Sequence, residues 1–144
     1  MGVEIVTGDG NSLQISRDIV FKQVKCDEDN PMFEEFSEEF EGLLPEVKAA
    51  LEPKAALGFA PYPEEFKGSA IKPGTEVLYM IVTVGEKICA ISGEYFKKGD
   101  YVKGMLTDAM ASAALFAFEK PVFDKLREMC ALKHLGIKKR YEAP

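Results

Sequence analysis

The side chains able to do chemistry are few, and their spacing assembles no reactive centre. His134 is the single histidine, and no serine or cysteine with an acidic partner stands where it would complete a nucleophile, base and acid set. Its place near a helix end, where the dipole favours a cation, gives it a structural role instead. Asp100 and Asp108 could be paired as acid and base, but the first reads as a helix cap and the second as a helix-face residue. Cys26, Cys89 and Cys130 are odd in number, far apart and free of CxxC spacing, which marks reduced thiols rather than zinc or iron–sulfur ligands. Cys89 and Cys130 lie among apolar neighbours and are expected to serve in packing. Gly8-Asp9-Gly10-Asn11 has the glycines of a phosphate loop, yet lacks both the following Lys-Ser/Thr and a complete GxGxxG. The sequence predicts a binding or interaction module with no catalytic residues and no metal site of its own.

Any such site must be positioned by one domain's worth of chain. With 144 residues, 47% hydrophobic and 29% charged, the sequence can fold around one core without disulfide or metal staples. The formal charge of -6 opposes contact with nucleic acid, which draws affinity from clustered Lys and Arg. No apolar run approaches the roughly 20 residues that cross a bilayer, and Met1-Gly2-Val3-Glu4 is no basic leader ahead of a hydrophobic stretch. A cytoplasmic protein with no nucleic-acid or membrane partner is expected. No repeat, low-complexity tract or linker divides the chain.

Val3-Glu4-Ile5-Val6-Thr7 alternates, Gly8 to Asn11 supplies residues tolerant of positive φ, and Leu13-Gln14-Ile15 alternates again, predicting a β-hairpin. Ser16 can cap a short helix from Arg17 to Val24, with Ile19, Val20 and Val24 at helical spacing. Asp29 or Asn30, with Pro31 in the first turn, opens a second helix whose apolar stripe Phe33, Phe36, Phe40, Leu43 and Leu44 is opposed by Glu34, Glu35, Glu38, Glu39 and Glu41. Carboxylates placed there keep a surface helix solvated, whereas a cation site needs them to converge in a shaped loop. Pro45 is expected to divide this helix from a segment carrying Val47 and Leu51. Ala56 to Ala60 reads as a short strand, and Pro61, Pro63, Gly68, Pro73 and Gly74 punctuate a loop.

Val77 to Val84 is a continuous apolar run rich in β-branched and aromatic residues, which predicts a strand buried on both faces at the centre of the sheet. It stops at Gly85, and Glu86 begins a helix with Ile88, Ile91 and Tyr95 at helical spacing, ending near Lys97-Lys98-Gly99. Asp100 caps the next helix, where Val102, Met105, Leu106, Ala109 and Ala113 form a stripe. Ala109 to Ala114 are small on every face, which suits close approach of another element or, alternatively, a ligand groove. Pro121 predicts a kink or a new helix start, with Phe123, Leu126, Met129 and Cys130 turned inward and Gly136 as the C-terminal cap. The fold class these elements make is α+β: a small mixed sheet with an N-terminal hairpin, a central buried strand near 77–84, and a long helix, bent at Pro121, near 100–135.

Three stretches carry a resemblance that composition and periodicity do not supply: Thr83-Val84-Gly85-Glu86-Lys87-Ile88, Phe96-Lys97-Lys98-Gly99-Asp100-Tyr101, and Met105-Leu106-Thr107-Asp108-Ala109-Met110-Ala111-Ser112-Ala113-Ala114. They are similar to the activation domain of cobalamin-dependent methionine synthase, most of all to its small stand-alone relatives. There an equivalent strand and TVGE turn precede a GDY helix start and an alanine-rich helix. The resemblance is close over the C-terminal half and extends to the N-terminal half in helix order.

The resemblance implies a methionine synthase activation domain-like fold, one unit over residues 1–144 lacking the C-terminal part of the family's domain. In that family the domain binds S-adenosylmethionine, which remethylates cobalamin after the cofactor has been oxidised and then reduced. Part of the ligand site follows the long helix, in a segment reading Arg, any residue, small residue, Pro, Gly, Tyr. Gly136 to Pro144 resembles its start: Arg140 matches the arginine, and Tyr141, Ala143 and Pro144 fall beside it, with one extra residue before Pro144 and the Gly-Tyr beyond it. A guanidinium is a rigid donor fork for the carboxylate of the ligand's methionyl part. With Lys138 and Lys139 the same arginine also reads as a solvated basic tail. The resemblance further implies an accessory role in a cobalamin-dependent methyltransferase, with cobalamin held by a corrinoid-binding partner protein or domain and a reductase in the same system. The alternative is an interaction or scaffold domain that keeps the fold without the ligand, docking on a corrinoid protein or self-associating.

Overall fold

The computed structural model describes residues 2–65, 70–137 and 140; Gly68, Lys138, Lys139, Tyr141, Ala143 and Pro144 lie outside the described residues. Alternating side chains build an antiparallel sheet in the order β1 (Glu4–Thr7), β2 (Lys54–Pro61), β3 (Glu76–Thr83). Ile5 stands opposite Ala56, and Ala56 opposite Ile81. Among the described residues the α-helices are α1 (Arg17–Gln23), α2 (Phe33–Ala50), α3 (Lys87–Lys97) and α4 (Tyr101–Leu132). The α+β class, the small sheet and the long C-terminal helix are as the sequence predicts.

The sheet itself departs from expectation in three ways. The N-terminal hairpin is absent: β1 pairs with β2, and Gly10–Ser12 is a 3-10 turn rather than a hairpin loop. The Asp9 carboxylate accepts the Asn11 N–H at 3.0 Å, which satisfies the turn locally and sends Leu13 and Ile15 into the core instead of along β1. Gly10 is needed for closeness, not for positive φ, because a Cβ there would stand 2.5 Å from the Lys48 carbonyl oxygen. Among the described residues the sheet is also wholly antiparallel rather than mixed, and β3 is an edge strand rather than the centre. Its apolar run conceals two unlike faces: Leu78, Met80 and Val82 turn to the core, while Tyr79 and Ile81 turn out, Ile81 being 72% exposed. One covered face is enough for an antiparallel sheet.

Proline also breaks less than expected. α2 continues through Pro45 and α4 through Pro121. On α2 the stripe Phe36, Phe40, Leu43, Val47 and Ala50 is buried on both sides of the proline, and that shared burial outweighs the lost backbone donor. Neither Asp29 nor Asn30 caps α2 directly. Asn30 takes the Met32 N–H on its side chain at 2.9 Å and the Phe33 N–H on its carbonyl at 3.0 Å, making a turn that delays the helix to Phe33. α1 does start on a Ser16 cap, but Val20 and Phe21 are its buried residues while Ile19 stays 39% exposed.

α4 touches α1, α2, α3 and β3, so the core collects around it. Leu106, Ala109, Met110, Ala113, Ala114, Phe118 and Val122 are all essentially without exposure. The helix ends at its C-cap Lys133, and the left-handed residue after it is His134, not Gly136: His134 takes φ +56, and the Leu135 N–H turns back to the Cys130 carbonyl at 2.9 Å. Among the described residues no helix is long and apolar enough to cross a membrane.

Candidate functional site

Of the three stretches that carry the resemblance, two fall at joints of the fold and the third, Met105 to Ala114, lies within α4. The Thr83 to Glu86 turn leaves β3 on Gly85, whose φ of +91 suits only glycine, and whose N–H donates to Thr83 Oγ1 at 3.0 Å. The adjoining Val84 carbonyl accepts the Glu52 N–H at 2.8 Å, tying the turn to the entrance of β2. At the α3 to α4 joint Asp100 caps the helix as expected, its carboxylate accepting the Lys103 N–H at 3.2 Å. The buried Ser92 hydroxyl donates to the Gly104 carbonyl at 3.2 Å, and a Cβ on Gly104 would meet the Phe96 ring at 2.8 Å. With Ala109, Ala113 and Ala114 buried, the small residues serve close helix packing in this structure.

A polar cluster crosses α2, α3 and α4. The Tyr95 hydroxyl donates to Glu46 Oε1 at 2.9 Å, and Lys103 Nζ lies 3.9 Å from Glu39, 3.8 Å from Asp100 and 5.6 Å from the Tyr95 ring centre. Burial, followed by the hydrogen bond and the charge of Glu46 and then by Asp100 and Glu39, pushes the Tyr95 phenol above its ordinary pKa. These groups satisfy one another, so the cluster joins helices rather than facing a ligand.

Arg140 is the described member of the sequence-derived site. Its guanidinium donates to Glu119 Oε1 at 3.1 Å and lies 5.0 Å from the Phe123 ring centre. Phe116, Glu119, Lys120 and Phe123 follow i, i+3, i+4, i+7 spacing and therefore share one face of α4. Phe116, 56% exposed, and Lys120 line a shallow groove of about 520 Å³ with Ser12, Leu13, Gln14 and Pro121. Arg140 thus closes one end of a face that offers an open aromatic ring, a carboxylate and two cations. Of these four, the sequence pattern places only Phe123, and places it inward; it lies half-buried beneath Arg140 instead, while Phe118 and Val122 on the opposite side of α4 are the buried residues. The i, i+4 pairs Phe116–Lys120 and Glu119–Phe123 were the available signal.

Cys89 is exposed rather than packed, while Cys26 and Cys130 are buried. Burial, and then the neighbouring Asp27 charge, push the Cys26 thiol pKa up. Among the described residues no group of three or more His, Cys, Asp or Glu stands close enough to hold a metal ion.

No protein-family model matches the sequence, and neither does any curated protein. Among solved structures, the chain is similar to the MetH reactivation domain in a crystal structure with AdoHcy bound, with a TM-score of 0.63 and 15% sequence identity over 88% of this chain. It spans 55% of that chain. The antiparallel sheet, the helix order and the long α4 therefore make up the α+β fold of a methionine synthase reactivation domain.

Proposed function

We propose that residues 1–144 form an S-adenosylmethionine-binding reactivation domain, an accessory unit of a cobalamin-dependent, methionine synthase-like methyltransferase system. The observation that carries this reading is the likeness, over 88% of the chain, to a reactivation domain solved with AdoHcy bound. The α4 face supports it. A ring open on one side and a guanidinium able to hold a carboxylate match the base and the amino-acid end of such a ligand. Arg140 would hold the methionyl carboxylate, with Tyr141, Ala143 and Pro144 lining the segment beside it. S-adenosylmethionine supplies a methyl group carried on a sulfonium sulfur. The chain's own residues bind and orient; cobalamin belongs to a corrinoid-binding partner, and electrons to a reductase of the same system.

One observation favours a second reading, a ligand-free interaction domain docking on a corrinoid protein: the Arg140 guanidinium is engaged by Glu119 and Phe123. Equilibrium dialysis against labelled S-adenosylmethionine separates the two. Binding by this chain, or by a version carrying Gly-Tyr after Pro144, with loss in Arg140→Ala, supports the ligand. Absence of binding by both, with retention of a corrinoid protein on the immobilised chain, overturns the first reading in favour of the second.

A further inference from the structure

Among the described residues the backbone of β3 is paired on one side only. Gly8 N–H bonds to the Pro53 carbonyl at 3.0 Å, and Tyr62 N–H to the Thr75 carbonyl at 2.8 Å. With the observed register, these bonds assign the odd residues of β2 to β1 and its even residues to the odd residues of β3. The N–H and C=O groups of Glu76, Leu78, Met80 and Val82 therefore point away from the sheet. Among the described residues no backbone group meets them.

An edge strand of this kind is ordinarily guarded by charge, proline or brevity. β1, the other edge, is four residues long and carries Glu4. β3 has eight residues, no proline, and no charge from Val77 to Thr83. Its one charged residue, Glu76, sits at the end and is paired with Lys133. Beside the open edge, Tyr79 and Ile81 are 43% and 72% exposed, and Ile5 continues that apolar face at 53%.

We propose that β3 pairs antiparallel with β3 of a second copy of this chain, about a two-fold axis at Met80, joining the two sheets into one. The outward groups of one copy then meet those of the other, with Leu78 opposite the partner's Val82. On the outer face Tyr79 stands opposite the partner's Ile81, an aromatic and β-branched pair of the kind that stabilises sheets, and the symmetry repeats it. The occupant is fixed by charge. A joint without charge suits an equally uncharged strand, and the two Glu76 carboxylates fall at opposite ends, so no like charges meet although each copy carries -6. This pairing is independent of any ligand at Arg140.

Sedimentation equilibrium of the chain tests it, with far-UV circular dichroism as the check on folding. The mass rises with concentration towards twice that of the chain, more readily at higher salt as the net charges are screened. Val82→Pro deletes an N–H that bonds nothing within the sheet and holds the mass at that of one chain. Ile81→Lys weakens association about tenfold or more, and the pair Tyr79→Glu with Ile81→Lys restores it by setting opposite charges across the joint. Ile5→Lys, on the same face but two strands away, leaves it unchanged. A single-chain mass at every concentration overturns the proposal, as does a dimer indifferent to Ile81→Lys or one that the charge pair fails to restore. Should Val82→Pro fail to fold, Ile81→Lys and the charge pair decide alone.

Discussion

Arg140 reaches Glu119 at 3.1 Å from 21 residues further along the chain, and so holds its guanidinium against a carboxylate of its own protein. A ligand carboxylate at Arg140 must compete with Glu119 for the same donor fork. Both side chains are partly exposed, which keeps their pairing weak. Glu119→Gln removes the competing charge at nearly constant shape. It is expected to tighten S-adenosylmethionine binding about two- to fivefold, or ~0.5–1 kcal/mol, whereas Arg140→Ala weakens it by about tenfold or more. Equilibrium dialysis of both variants reads the two opposite signs. Equal weakening by both would show that Glu119 assists binding instead.

Tyr95 gives the chain a specific alkaline signature. Its folded pKa is raised, first by burial and then by Glu46, so the unfolded state loses the phenolic proton first as pH rises. The stability contributed by the protonated phenol is fully present below the unfolded value of about 10 and is lost as pH climbs from there through the folded value. Tyr95→Phe should cost about 0.5–1.5 kcal/mol at neutral pH through the lost bond to Glu46. The gap between wild type and variant in urea unfolding should narrow above about pH 10. A constant gap would show that Glu46 does not depend on the phenolic proton.

Where the sequence was readable, the deciding partner was close by. Asp100 caps α4 because the Lys103 N–H is three residues away, and Gly85 turns the chain because φ is a property of one residue. β1 is legible as a strand, but its pairing is not, for the opposite reason. Its partner β2 lies some fifty residues on, while Asp9 and Gly10 satisfy their own turn and give no sign of it. Pro45 looked decisive in isolation, yet the buried stripe on either side carried α2 through it. The pairing of Arg140 with Glu119 spans α4's last turns and the chain after them, so the motif located the arginine but not the carboxylate that holds it.

The three thiols should separate cleanly by rate. Cys89 is exposed on α3, whereas Cys26 is 2% and Cys130 6% exposed. The Cys26 thiol is further disfavoured as thiolate by burial and by Asp27. In the folded chain at neutral pH a thiol reagent should modify Cys89 first, with Cys26 and Cys130 reacting only on the timescale of opening. Peptide mass mapping of timed samples gives the order. Early modification of Cys26 would mean that the α1 to α2 connection opens far more readily than its burial implies.

Thr107 lies wholly buried on α4, and its hydroxyl meets no hydrogen-bond partner among the described residues. A desolvated hydroxyl without a partner forfeits its hydrogen bond to water and gains nothing in exchange, a loss of about 1–3 kcal/mol. Thr107→Val replaces that hydroxyl with a methyl of similar size on an equally β-branched side chain, so it should stabilise the fold by about 1 kcal/mol. Thr107→Ser keeps the hydroxyl and deletes the methyl, and should destabilise by a similar amount, about 1 kcal/mol. Urea midpoints of the two variants must therefore move in opposite directions. If Val lowers the midpoint as well, the hydroxyl is satisfied and Thr107 belongs to a polar network rather than to the apolar core around Leu106 and Met110.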